Sequence, residues 1–170
     1  FLPVDGKIDV KQFASYKVDF GTVNGKSYTV PFDNGATATF LRRDVIEKAG
    51  LKVEDFNDIT WERFIELGRI VKAKTGLPLC SMPQDSADFI AIMMQSAGTW
   101  YFDEKGKTNL ANNVALKECM KLYTQMINEG ICMQATDWNA YVASIQNLQV
   151  AGTVNGCWII GSINGAKGSE

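Results

Sequence analysis

The sequence predicts an α/β layered domain with a largely parallel sheet flanked by helices. The main reason is that segments with helical apolar periodicity alternate with short β-prone runs along the chain. The composition, 46% hydrophobic and 21% charged, is typical of a soluble globular protein. With 170 residues, the chain is long enough for one large domain or two small ones with a sizeable core.

The chain divides into three parts on these patterns. Residues 1–30 are predicted to be a loop and strand that lead into the main lobe, with a short helix over Ile8–Tyr16, a turn at Asn24-Gly25 and a β-prone run over Ser27–Pro31. Residues 31–160 form the α/β lobe that carries the candidate binding residues. Residues 161–170 are expected to be a hinge-proximal or frayed tail.

Within the lobe, cap residues and closing glycines delimit the predicted helices. Thr60 is expected to cap a helix closed by Gly76, and Asn112 or Asn113 is expected to cap another that ends at Gly130. The remaining predicted elements are a strand over Thr37–Leu41, a helix over Asp44–Ala49, a strand over Leu77–Met82 and a helix over Asp85–Ala97.

The C-terminal part of the lobe carries two tryptophans in a helix–strand unit. We predict a helix from Trp138 to Leu148, a strand from Val150 to Val154, and then a tight Asn155-Gly156 turn that ends on Trp158. Open α/β sheets bind ligands at the carboxyl edge of their strands. Two indoles that bracket this unit therefore predict a wall for a ring-shaped ligand.

Composition also narrows the function classes. The net charge is −2, and the sequence has no basic stripe that could neutralise the phosphates of a nucleic acid. Nucleic acid is therefore not expected as a partner. Because the chain has no histidine, zinc sites and Ser-His or Cys-His nucleophiles are not expected. No carboxylate pair is spaced for acid–base chemistry and no Gly-rich phosphate loop is present, so we expect no catalytic residue, metal or cofactor.

The four cysteines, Cys80, Cys119, Cys132 and Cys157, form no C-x-x-C pair. Each lies in an apolar segment, so buried free thiols are expected, while a single disulfide such as Cys119–Cys132 stays open. The uncharged run Trp158–Ala166 is too short to cross a bilayer. Since the chain starts at Phe1 without a basic segment, we expect any targeting segment to have been removed or never to have belonged here.

Trp158 and Trp138 are the first candidate ligand-binding residues, because indole faces stack well on the C–H faces of a sugar. The alternative is that both are core tryptophans. Asp33, Asn34 and Gly35 could offer hydrogen bonds to hydroxyls or simply form a turn. Asp85 and Asp88 both follow the end of a predicted strand. Asp85 is explained as a helix cap, whereas Asp88 lies one turn further on and is a candidate for ligand binding.

Four segments together resemble the bacterial extracytoplasmic sugar-binding proteins of ABC importers, the solute-binding family that includes maltose-binding protein. They are N-G-K-S-Y-T-V-P-F-D-N-G-A-T-A-T-F-L-R-R-D-V-I-E-K-A-G-L, I-T-W-E-R-F, A-L-K-E-C-M-K-L-Y-T-Q-M-I-N-E-G-I and V-A-G-T-V-N-G-C-W. Their order and spacing hold over about residues 24–162. By this resemblance, Trp158 corresponds to the sugar-stacking tryptophan and Trp138 to a second aromatic of the cleft.

The resemblance also implies roles for the polar candidates and for the whole protein. Asp33, Asn34 and Gly35 would lie in the loop that supplies polar contacts, and Asp88 near a segment that supplies another. The chain would be mainly one lobe of a type II periplasmic-binding-protein fold and a fragment of a two-lobed protein. That protein would be a monomer, periplasmic or a cell-surface lipoprotein, and would deliver sugar to an ABC permease without catalysing a reaction.

Three other hypotheses stay open at this point. Two indoles with Asp33 and Asp88 could enclose a cationic amine, through cation–π contacts and acidic partners. A carbohydrate-active enzyme domain would require a pair of carboxylates about 5 to 10 Å apart in the cleft. A scaffold lobe with buried tryptophans would have no cleft of its own.

Overall fold

The structure, a computed structural model, describes residues 1–165 and divides into two compact units. The first unit is Phe1–Ala36, and the second begins at Thr37. Of the tail predicted over residues 161–170, residues 166–170 lie outside the described part. Residues 161–163 belong to a short helix over Ile160–Ile163, and residues 164 and 165 form a turn after it.

The first unit is built around a small hairpin. Strands β1 (Thr22–Val23) and β2 (Lys26–Ser27) pair in antiparallel fashion. The turn predicted at Asn24-Gly25 is confirmed, since the two residues have φ of 51° and 73°. The unit also contains a 3₁₀ turn over Val10–Gln12 and helix α1 over Ser15–Phe20.

The helix predicted over Ile8–Tyr16 is wrong in position. The Asp9 side chain accepts a hydrogen bond from the Lys11 amide and so caps only the 3₁₀ turn. The chain then becomes extended at Phe13 and Ala14 before α1 begins at Ser15. The β-prone run that we predicted over Ser27–Pro31 is a strand only at its first residue, as part of β2.

The second unit alternates strands and helices as predicted. Its strands are β3 (Thr37–Leu41), β4 (Cys80–Pro83), β5 (Cys132–Ala135) and β6 (Gly152–Gly156). Its α-helices are α2 (Arg43–Lys48), α3 (Trp61–Thr75), α4 (Asp88–Ser96), α5 (Val114–Asn128), α6 (Trp138–Gln146) and α7 (Ile160–Ile163). Among the described residues, no helix is both long and apolar enough to traverse a bilayer.

Two ladders form the sheet structure of this unit. The parallel pairing expected from the sequence joins β4 to β5, with Cys80 opposite Cys132. Strand β6 runs antiparallel to β3, with Thr37 opposite Gly156. The Ala151 amide, one residue before β6, donates to the Pro78 carbonyl at 2.9 Å and so joins β6 to the segment that leads into β4.

The long helices begin and end at the predicted caps. The Thr60 hydroxyl accepts from the Arg63 amide at the start of α3, and the Asn113 side chain accepts from the Leu116 amide at the start of α5. Gly76 ends α3 with φ of 77°, a left-handed conformation that glycine adopts without strain. These caps explain why both helices are predicted well.

The helices bury their apolar faces against the strands in two clusters. The larger one collects residues of α2, α3, α4, α5, β4 and β5, including Ile46, Ile65, Val71, Met93, Met94 and Met126. The smaller one consists of Ala135, Tyr141, Ile145, Val150 and Ile159. This second cluster lies under the residues that form the candidate site.

Candidate functional site

Trp138 and Trp158 form an exposed pair. Trp138 is the first residue of α6, and Trp158 lies in a 3₁₀ turn over Cys157–Ile159 that follows β6. The ring centroids are 5.5 Å apart and the ring planes are inclined by 37°. The residues are 41% and 52% exposed, so neither indole is sealed in the core. The pair offers a tilted, apolar surface to solvent.

Gly156 provides the space in which the Trp158 ring lies. A Cβ atom at this position would lie 2.4 Å from Nε1 and 2.7 Å from Cδ1 of Trp158, which no real Cβ atom tolerates. The predicted Asn155-Gly156 turn is wrong, because both residues belong to β6 and pair with Ala38 and Thr37. The glycine is therefore required for close approach of the indole and not for a turn.

The N-terminus of α6 holds Trp138 in place. The Asp137 carboxylate accepts from the Ala140 amide at 2.8 Å and caps the helix. One turn further on, the ring of Tyr141 lies 5.1 Å from that of Trp138. Because Tyr141 is only 1% exposed, it forms a buried platform under the exposed Trp138.

A buried polar network fixes this platform to β6. The Tyr141 hydroxyl lies 2.5 Å from Thr153 Oγ1, and the Asn155 side-chain amide donates to the same hydroxyl at 3.0 Å. Burial, partly offset by these two hydrogen bonds, raises the pKa of the Tyr141 phenol. The phenol therefore stays neutral at physiological pH and can both donate and accept.

A second network ties α6 to β4. The Ser144 hydroxyl donates to the Tyr141 carbonyl at 2.7 Å, so its single proton is committed. The Ser81 hydroxyl, 2.6 Å from Ser144 Oγ, must then be the donor in that second contact. Both serines are buried, and the bonds satisfy groups that would otherwise be costly to bury.

The parallel pairing of β4 and β5 places Asp88 in the same region as Trp138. It is the first residue of α4, which follows β4, just as Trp138 is the first residue of α6, which follows β5. Since β4 and β5 are parallel neighbours, their carboxyl ends bring both helix starts to one edge. Asp88, Ser86, Trp138 and Asn155 line one recess at this edge, and Asp88 is exposed.

Asp33, Asn34 and Gly35 belong to the first compact unit. All three are exposed and lie in an irregular segment between β2 and β3. The Asn34 side-chain oxygen accepts a hydrogen bond from the Tyr16 hydroxyl. Of the residues singled out in the sequence, Trp138, Trp158 and Asp88 are thus brought together within the second unit.

Sequence reasoning missed the supporting residues Tyr141, Thr153 and Asn155. Two signals could have identified them. Tyr141 is three residues after Trp138, which places the two rings on one face of a helix. Thr153 and Asn155 alternate along β6 and so point to the same face of the strand.

The sequence profile described as "Bacterial extracellular solute-binding protein" matches residues 2–170 of the chain. The chain belongs to this family of bacterial extracellular solute-binding proteins. It is 40% identical over 163 residues to the lactose-binding protein of Rhizobium radiobacter, which covers 96% of the chain and 39% of that relative. It is 32% identical over 122 residues to the arabinooligosaccharide-binding protein of Bacillus subtilis, with 71% of the chain and 27% of that relative covered.

Solved structures of solute-binding proteins share its fold. The GacH receptor of Streptomyces glaucescens superposes with a TM-score of 0.83 at 20% identity, covering 97% of the chain and 43% of that protein. A binding protein of B. animalis subsp. lactis, solved with β-1,6-galactobiose, superposes with a TM-score of 0.80 at 23% identity, covering 99% and 44%. The predicted type II periplasmic-binding-protein lobe is confirmed.

The chain spans less than half the length of the relatives that it matches, 39% of the lactose-binding protein and 27% of the arabinooligosaccharide-binding protein. The two curated relatives are binding proteins rather than enzymes by name.

Proposed function

We propose that this chain is the part of an ABC-importer binding protein that captures a sugar or oligosaccharide with Trp138 and Trp158. The 40% identity to a lactose-binding protein supports a sugar ligand and makes lactose the first one to test. The ligand would lie between two lobes that close around it, a hinge motion whose closed form a permease can recognise.

The exposed indole pair is the observation that carries this proposal. Two large aromatic faces, 5.5 Å apart at their centroids and inclined by 37°, remain open to solvent at the carboxyl edge of β5 and β6. Adjoining apolar faces that are exposed together are typical of ligand-binding or interaction surfaces. Aromatic rings match the C–H faces of a pyranose, and they lose little entropy on binding.

Polar residues around the pair would select among sugars. Asp88 and Asn155 line the recess beside Trp138 and can accept hydrogen bonds from sugar hydroxyls, and Asn155 can also donate. In the proposal, Asp33, Asn34 and Gly35 contribute further polar contacts. A few such groups in a largely apolar site fix the orientation of a small ligand.

The proposal extends to the cellular role of the whole protein. It would act as a monomer outside the cytoplasm, in the periplasm or as a cell-surface lipoprotein, and would pass its ligand to an ABC permease. It would catalyse no reaction and need no cofactor. Family membership supports the extracellular location.

Calorimetric titration of the full-length protein tests the sugar proposal. We expect Trp158→Ala to weaken the binding of lactose, or of whichever oligosaccharide binds the wild type, by more than tenfold, since truncating a central aromatic costs more than about 1.4 kcal/mol. Trp100→Ala is the matched control. Trp100 is 39% exposed but stacks on Tyr101 and does not line the recess, so its loss should leave the affinity unchanged.

Unchanged sugar affinity in Trp158→Ala would contradict the proposal. So would the absence of binding by the wild type across a panel of lactose, other galactosides and arabino-oligosaccharides. A loss of affinity in both tryptophan variants would point to a general folding defect, which circular dichroism would reveal.

A cationic ligand is the second candidate, and Asp88 supports it. It is the one charged residue among those that line the recess beside Trp138, which therefore has acidic character. Cation–π contacts with two indoles would add to this attraction. A thermal-shift screen separates the candidates. Stabilisation by choline or a polyamine, lost in Asp88→Asn, with no response to sugars, would favour the amine.

The glycosidase hypothesis requires a second carboxylate in the cleft. Within the part of the chain that the structure describes, the recess beside Trp138 is lined by a single acidic side chain, that of Asp88. This composition supports a binding role over hydrolysis.

A further inference from the structure

Cys80 and Cys132 form a close pair of buried thiols. All four cysteines are free thiols in the described residues, and the expectation that each is buried is wrong for Cys157, which is exposed. The Sγ atoms of Cys80 and Cys132 are only 2.8 Å apart. This separation is too short for relaxed non-bonded sulfur atoms and approaches the bond length of a disulfide, about 2.0 Å.

The strand register explains why the two thiols meet. Cys80 and Cys132 are the first residues of β4 and β5 and are directly paired in the parallel ladder. Paired residues point to the same face, and neighbouring strands lie about 4.8 Å apart. That spacing falls within the Cα–Cα range of disulfides, about 4.4 to 6.8 Å. The register and this strand spacing are therefore compatible with a disulfide between the two residues.

We propose that Cys80 and Cys132 form a structural disulfide that links β4 to β5. In the reaction, the two thiols lose two protons and two electrons and form one S–S bond. A disulfide donor, such as an oxidised dithiol oxidoreductase or oxidised glutathione, accepts the electrons and is released as two thiols. A protein family that acts outside the cell meets such donors on its folding route.

The bond would form during folding and then persist. Both residues are nearly sealed, with exposures of 1% and 2%, so an external donor must react before the core closes over them. Burial, and then the neighbouring Cys80, raise the pKa of the Cys132 thiol well above its ordinary value. Few thiolates therefore exist in the folded protein, which makes late oxidation slow and suits a structural rather than a reactive pair.

The link would also support the candidate site. The closed loop contains α4 and α5, and the two bridged strands lead directly to Asp88 and Trp138. The bond would limit the separation of β4 and β5 at their starts. It would also restrict the unfolded chain, since Cys80 and Cys132 are 52 residues apart.

Peptide mapping of the full-length secreted protein tests the proposal without any mutation. The protein is denatured in N-ethylmaleimide without reductant and then digested. We expect the label on Cys119 and Cys157 and one linked peptide that joins Cys80 to Cys132; after reduction, all four residues should be labelled. Label on Cys80 and Cys132 before reduction, or a link that involves Cys119, would overturn the proposal.

A thermal measurement provides an independent readout. Reductant should lower the melting temperature of the wild type by roughly 5 °C or more. It should have no effect on the double variant Cys80→Ala/Cys132→Ala, whereas Cys119→Ala, which alters a buried cysteine outside the pair, should respond like the wild type. If the melting temperature of the wild type is unchanged after the protein has been unfolded and refolded in reductant, the disulfide is contradicted.

Discussion

The Tyr141 hydroxyl lies 2.5 Å from the Thr153 hydroxyl and thereby joins α6 to β6 under the ring of Trp138. Both partners are buried, with exposures of 1% for each. The two residues connect the helix that begins with one exposed indole to the strand that ends just before the other. The candidate site thus depends on a polar contact inside the protein.

Tyr141→Phe removes the hydroxyl and keeps the ring. We expect a loss of about 1–2 kcal/mol in the free energy of unfolding, because Thr153 and Asn155 lose their shared partner. Urea denaturation of Tyr141→Phe, Thr153→Val and the double variant measures the coupling. If the two single effects simply add, the hydroxyl pair does not interact as described.

Gly156→Ala introduces a Cβ that would lie 2.4 Å from Trp158 Nε1. We expect the indole to be displaced and sugar affinity to fall by roughly tenfold, about 1.4 kcal/mol. Gly161→Ala is the control, since a Cβ there meets nothing within 4 Å. Titration calorimetry of both variants should show a loss in the first alone. Equal affinities would mean that Trp158 does not bind the ligand in this position.

Much of the fold could be predicted because its signals are local. Thr60 and Asn113 are cap residues with a side-chain oxygen, so the starts of α3 and α5 were predicted correctly. Gly76 likewise marked the end of α3. The exposure of Trp138 and Trp158 could not be derived from such patterns, because either a core or a cleft tolerates a tryptophan.

The errors arise where distant residues decide the structure. Asn155-Gly156 has the composition of a turn, yet both residues continue β6, because Ala38 and Thr37 provide ladder partners more than a hundred positions away. Strand β5, Cys132–Ala135, was not predicted because its four residues, C-M-Q-A, show neither an alternating pattern nor a continuous apolar run. Without β5, the sequence could not identify Cys80 as the neighbour of Cys132, and Cys119–Cys132 was the pairing left open instead.

Asp137→Ala removes the cap of α6. We expect a loss of about 1 kcal/mol in the free energy of unfolding, together with weaker sugar binding, because the freed first turn carries Trp138. Thr60→Ala removes the same kind of cap from α3 and should lower stability to a similar extent without affecting affinity. Chemical denaturation and calorimetry on the two variants check both parts. An equal change of affinity in the two would refute the local role of Asp137.

Glu129 predicts a specific response to acid. Hydrogen bonds from the Arg69 guanidinium, and then from Gln125, lower the pKa of this carboxyl from 4.5 to about 2. Since the native pKa is depressed, the stabilisation is fully present above pH 4.5 and is lost as the pH falls from 4.5 toward 2. Because both side chains of the pair are partly exposed, screening by solvent keeps the effect small.

Glu129→Gln should therefore be less stable than the wild type at neutral pH, and the difference should disappear near pH 2. Thermal melts of both proteins across this range provide the measurement. Glu66→Gln is the control, since it neutralises a carboxylate whose ion pair, with Arg63, lies within one helix. A difference that stays constant across the whole pH range would rule out the linkage.

The unequal burial of the four tryptophans gives the protein its own optical reporters. Trp61 is half-buried, donates its indole N–H to Ser96 and packs on Phe64 and Phe89, so its emission should lie at a shorter wavelength than that of the exposed pair. Trp138 and Trp158 are exposed to solvent, with ring centroids 5.5 Å apart, and should emit at a longer wavelength than Trp61. Acrylamide quenching of Trp138 and Trp158 would then fall as ligand occupies the site, above a constant contribution from Trp100, which is 39% exposed.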